Sequence, residues 1–139
     1  MWEGVRSFQQ EIVDILTLKQ EPNDPEALMA QDQLGLTLVK LSDFDTAREM
    51  QLNTLERSRE AFGEVSQKTM IFTAHLATTS REMGDWDEYQ RLLEKLLNLR
   101  QQVLGFNDPK TEKTRLNLSD LRNRLHESHL HRGDSLDLA

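Results

Sequence analysis

Apolar side chains recur at three- and four-residue steps along most of the chain, and charged or amide side chains fill the positions between them. That spacing puts the apolar residues on one face of a helix. It predicts helices over about 3–19, 25–41, 45–62, 67–83, 87–104 and 109–125. The packing faces fall to Val5, Phe8, Ile12, Val13 and Leu16 in the first, and to Leu28, Leu34, Leu38 and Leu41 in the second. The third uses Ala47, Met50, Leu55 and Phe62, and the fourth Met70, Leu76, Ala77 and Met83. The fifth uses Tyr89, Leu92, Leu93, Leu96, Leu97 and Leu104, and the sixth Leu118, Leu121 and Leu125. No strand-like alternation interrupts them.

Residues 67–108 shifted back by 42 land on residues 25–66. Leu76 then meets Leu34, Thr79 meets Thr37, Trp86 meets Phe44, Leu97 meets Leu55 and Gly105 meets Gly63. A period of this size belongs to helical repeats. Asn23-Asp24-Pro25 returns as Asn107-Asp108-Pro109, 84 residues later, which is two periods, and Ser66 holds the cap site midway. Asp and Ser before a helix accept from its first free N–H groups, and Pro suits the first helical position. Gly63 and Gly105 close the second helix of each repeat with a conformation costly for other residues. Asp43 and Asp85 stand where they can cap the helices that follow, and Phe44 where it can plug the gap between two helices.

The first segment obeys the same register. Trp2 falls on Phe44 and Trp86, Val5 on Ala47, and Val13 on Leu55. The chain therefore reads as an unpaired second helix (3–19), with an independent N-terminal capping helix as the alternative there, repeats 25–66 and 67–108, and the first helix of a third repeat (109–126). The expected domain spans 1–127, with 20–24 a short loop. Residues 128–139, which contain Gly133 and lack a sustained period, are expected as a flexible tail.

The 139 residues suit one domain or a short array. A net charge of −7 argues against general binding of nucleic acid or anionic membrane. With no cysteine, disulfides and thiolate metal sites are excluded. No apolar run approaches the roughly 20 residues that span a bilayer. Met1-Trp2-Glu3-Gly4 does not read as a signal peptide, so a cytoplasmic location is the expectation.

These residues resemble the tetratricopeptide repeat, in the longer form of about 42 residues found in kinesin light chains. The likeness is carried by Gln33-Leu34-Gly35, Asp43-Phe44 and Ala47 in one copy. In the next it is carried by His75-Leu76-Ala77, Gly84-Asp85-Trp86, Leu104-Gly105 and Asp108-Pro109, and Asn117-Leu118-Ser119 opens the third. Ser42 departs from the family's turn glycine and Tyr89 from its small residue. A HEAT-type repeat has an overlapping period, but the short turn with an aromatic favours the tetratricopeptide type. The resemblance implies an all-α fold, an α-solenoid of antiparallel helix pairs with about six helices. It further implies a non-catalytic, cofactor-free module that binds a peptide or partner domain in a concave groove lined by the first helices.

In that arrangement the outward positions are Met29, Asp32, Gln33, Leu36 and Val39 in the first copy, and Ile71, Ala74, His75, Thr78 and Arg81 in the second. The third supplies Lys113, Leu116, Asn117 and Asp120. The column Gln33, His75, Asn117 is polar throughout and can both donate and accept hydrogen bonds. Residues 109–139 carry six basic and five acidic side chains, a net +1 that leaves −8 on 1–108; such asymmetry suits a ligand with an acidic end. The alternative to a binding groove is a structural scaffold, self-associating through the terminal helices or continuing a longer array.

Other chemistry is weaker. His126, His129 and His131 lack a completing carboxylate or thiolate at ligand spacing. Arg132-Gly133-Asp134 is a short motif common by chance. The acid pairs Asp43/Asp45 and Asp85/Asp87 recur at the start of each second helix, where helix-dipole stabilisation explains them.

Overall fold

A computed structural model describes the backbone of residues 2–19 and 23–137, with side chains described through residue 15 and from 23 to 128. The elements are α1 (Trp2–Lys19), α2 (Pro25–Lys40), α3 (Phe44–Phe62), α4 (Gln67–Met83), α5 (Trp86–Leu104) and α6 (Pro109–Asp137). All are helices, and the described residues contain no strand. The expected loop residues Gln20, Glu21 and Pro22 lie outside the described residues.

Local chemistry fixes the helix ends as the register predicts. Asp24 accepts from the backbone N–H of Glu26 and Ala27 at 3.0 and 3.2 Å. Ser66 accepts from Lys68 at 3.2 Å, and Asp108 from Lys110 at 2.9 Å. Asp85 accepts from Glu88 at 3.2 Å and caps α5. Asp43 makes no such bond, so only one of the two expected turn caps forms. Gly63 and Gly105 both take positive φ, 84° and 94°, and donate to the carbonyls of Arg59 and Gln101, one period apart.

The chain forms two compact units, Met1–Leu92 and Leu93–Ala139, divided within α5 rather than at a repeat boundary. In the first, α2 packs against α1, α3 and α4, and α3 against α4. Leu34, Leu38 and Ala47 form a buried cluster onto which Val13 of α1, Val39 and Met50 pack. The seam between α3 and α4 is polar. Gln51, Thr54 and Ser58 are buried there with Thr69, Thr73, Thr79 and Ser80. Ser58 and Thr69 share a hydrogen bond of 2.7 Å, and Thr79 donates to Gln51 Oε1 at 2.6 Å. Arg48 on α3 and Glu88 on α5 form an ion pair of 2.8 Å, with the carboxylate buried. Phe72 is also buried, although the apolar pattern did not single it out.

Phe44 is half-buried, and Trp86 is 39% exposed, its ring edge-on to buried Tyr89 at 6.1 Å.

In the second unit Leu93, Leu96, Leu118 and Leu121 are buried and Leu125 is half-buried. Arg100 donates to Thr114 Oγ1 at 2.7 Å and to the Lys110 carbonyl at 3.3 Å. Burial lowers its guanidinium pKa, and the charge of Asp108 opposes the shift. Helix α6 continues to Asp137, where a flexible tail from 128 was expected. Helical hydrogen bonds need no apolar periodicity, and the single Gly133 costs only about 1 kcal/mol, so loss of pattern does not end the helix.

Candidate interaction surface on the first helices

The capped starts of α2 and α4 hold these first helices one period apart in register, but the residues chosen as outward-facing do not all face outward. Met29 and Gln33 on α2 are exposed, and Leu36 and Val39 are half-buried. On α4, Ile71, Ala74, His75 and Thr78 are half-buried and Arg81 is exposed. Asp32 is the exception: it is buried at 0% exposure and is no surface residue. Its Oδ2 lies 2.5 Å from Nδ1 of His75, and its Oδ1 has no hydrogen-bond partner in the protein. The equivalent positions, Ala74 and Leu116, are half-buried and exposed. The repeat fixes position, but the neighbouring side chain decides environment.

The pairing follows from helix stacking. Asp32 and His75 are 43 residues apart, one period plus one, which sets them beside each other on adjacent first helices. That offset was the available sign of the contact. Around the pair, Gln31 donates to Asn53 Oδ1 at 3.2 Å, and Thr78 donates to the Ala74 carbonyl at 3.2 Å. Arg81 lies 3.4 Å from Glu82.

The remaining expected positions lie on α6, in the second unit. Lys113, Leu116 and Asp120 are exposed and Asn117 is half-buried. Two of the basic residues there are engaged locally. Arg122 is 3.3 Å from Glu94, while Arg115 stacks 3.8 Å over the Phe106 ring and donates to its carbonyl at 2.7 Å. Lys110, Lys113 and Arg124 are exposed.

Among the described residues no three His, Asp or Glu side chains are grouped to hold a metal ion; the side chains of His129 and His131 lie outside them. No helix of the described residues is long and apolar enough to cross a membrane.

The family model for the tetratricopeptide repeat matches residues 27–67 and 73–110, more than half of the chain. Among solved structures, the fold is similar to the TPR-like repeats of a Podosopora anserina protein described as a kinesin light chain. The TM-score is 0.80 at 15% identity, covering 86% of this chain and 57% of that one. A point variant of the same protein matches with a TM-score of 0.79 at the same identity and coverage. The chain thus spans little more than half the length of these structures. No curated protein matches it in sequence. Two matched repeats, whose helix caps and closing glycines recur at one period, place the chain in the tetratricopeptide repeat family.

Proposed function

We propose that the chain binds an extended peptide segment or partner domain along the exposed face of α2 and α4. Repeats of this family are generally protein-interaction modules and typically non-catalytic. The observation that carries the reading is the Asp32–His75 contact. It joins the first helices of neighbouring repeats and leaves a mixed surface on either side. Met29, Leu36 and Ile71 offer apolar contact, and Gln33, His75 and Thr78 offer hydrogen bonds. A few polar groups set among apolar ones are what a site needs to fix a ligand's orientation. Proximity cross-linking in cells, with Gln33→Ala and His75→Ala beside the unaltered protein, tests it. Partners captured by the unaltered protein should be lost or reduced in the variants, and undiminished capture rejects the assignment.

A second reading rests on α1. Trp2, Val5, Phe8, Ile12 and Ile15 are exposed along one stripe. Val5 is 36% exposed and Ile12 39%, whereas their register equivalents Ala47 and Thr54 on α3 are fully buried. An uncovered apolar stripe favours self-association or extension of the array. Light scattering over a concentration series separates the readings: a mass that rises with concentration supports self-association, and a constant monomer mass rejects it.

A further inference from the structure

The buried carboxylate of Asp32 is the polar group on the first helices whose bonding is incomplete. One oxygen meets His75 Nδ1 and the other has no partner, although the side chain is 1% exposed. Buried polar atoms are normally satisfied, so such a group calls for an explanation. A carboxylate only accepts hydrogen bonds, so His75 Nδ1 carries the hydrogen, and in the neutral imidazole Nε2 is then an acceptor. The imidazole is 29% exposed and Nε2 has no hydrogen-bond partner among the described residues. In that form the part-exposed imidazole offers one acceptor nitrogen, with the buried Asp32 carboxyl group on the other side of the ring.

We propose that Asp32 and His75 together form the acceptor for a lysine or arginine side chain of an extended peptide lying along α2 and α4. This rests on the interaction reading above and names the chemistry it selects. His75 touches the ligand, and Asp32 is a positioning residue that sets the tautomer and supplies the charge. The surroundings suit a long cationic side chain. Met29 and Leu36 flank Asp32 on α2, and Ile71 and Thr78 flank His75 on α4, at helical spacings of three and four residues. Apolar stems of lysine and arginine pack on such residues while the charged head reaches a polar atom. Partial exclusion of water there strengthens the attraction between the buried carboxylate and the incoming cation. Arg81, six residues further along α4, lies 3.4 Å from Glu82. The excess of negative charge over residues 1–108 adds long-range attraction of the same sign.

The test uses the full chain and an array of acetylated, amidated nine-residue peptides built from serine, leucine and alanine. The central residue is set to Arg, Lys, Ala or Glu. Arg and Lys peptides should bind about tenfold more tightly than Ala peptides, whose methyl group can donate no hydrogen bond to His75. Glu peptides should bind most weakly. Asp32→Asn keeps an acceptor for Nδ1 and removes the charge, so it should fold with the same helix content and lose the Arg/Lys preference while still binding Ala peptides. Imidazole nitrogen NMR on the unaltered protein gives a readout independent of any variant. Nδ1 should appear protonated, and Nε2 should shift on addition of the Arg peptide. A hydrogen on Nε2, with or without one on Nδ1, an unchanged preference in Asp32→Asn, or equal binding of Arg, Ala and Glu peptides overturns the proposal and leaves the interaction surface standing. If no peptide of any composition perturbs resonances of α2 or α4, the interaction surface itself fails, and this inference with it.

Discussion

Ser42 and Gly84, one period apart, hold the same left-handed backbone conformation, with φ of 62° and 76°. Their N–H groups donate to the carbonyls of Val39 and Arg81, and the residues after them, Asp43 and Asp85, donate to Leu38 and Ser80, both at 2.9 Å. The two turns are one structure built from different residues, and only the second uses glycine. A side chain in this conformation carries a steric cost that glycine avoids. Ser42→Gly should therefore raise stability by about 1 kcal/mol, seen as a higher urea midpoint with an unchanged slope.

Gly35 lies inside α2, where glycine is a poor helix former. A Cβ built on it would stand 3.0 Å from Cγ of Gln51, whose amide oxygen is held by Thr79. Gln51 cannot yield freely, so Gly35→Ala should destabilise by about 1 kcal/mol despite the better helix propensity. Gly4 in α1 has nothing within 4 Å of the same construction. Gly4→Ala should stabilise by up to about 1 kcal/mol. Opposite signs for the same substitution, read by chemical denaturation, are the expected outcome.

Gln51 and Thr79 are buried and depend on each other, since Gln51 Nε2 already lacks a partner. Thr79→Val strips the amide oxygen of its donor and should cost about 1–3 kcal/mol. The double variant Gln51→Leu with Thr79→Val removes both polar groups and should recover most of that loss. A double-mutant cycle measures the coupling, and additive losses would show that the bond contributes little.

Glu88 is buried with Arg48 at 2.8 Å, and Arg91 stands farther off at 3.9 Å. Arg48→Met leaves the carboxylate buried with only the more distant cation. A loss of about 3 kcal/mol is expected, at the low end for breaking a buried pair because Arg48 itself is partly solvated. Glu88→Gln in the Arg48→Met background should restore part of it, measurable as the shift in thermal midpoint.

The sequence by itself determined the helices, their period and most of their ends. Caps and closing glycines act through hydrogen bonds to residues only a few positions away, so Asp24, Ser66, Asp108, Gly63 and Gly105 are readable without knowing what packs where. Leu34, Leu76 and Leu118 are likewise legible, because one apolar face per helix must be buried in any stacked arrangement. Tertiary structure alone decided which polar residues go inside. Gln51, Thr54, Ser58, Thr69, Thr73 and Thr79 do not look like a core, and they become one because α3 and α4 bring donors and acceptors into mutual reach. Asp32 repeats a position that is half-buried at Ala74 and exposed at Leu116, yet it is buried because His75 stands beside it on the next first helix. A carboxylate's burial depends on the partner that offsets its desolvation. That partner lies 43 residues away, and only stacked helices make it a neighbour.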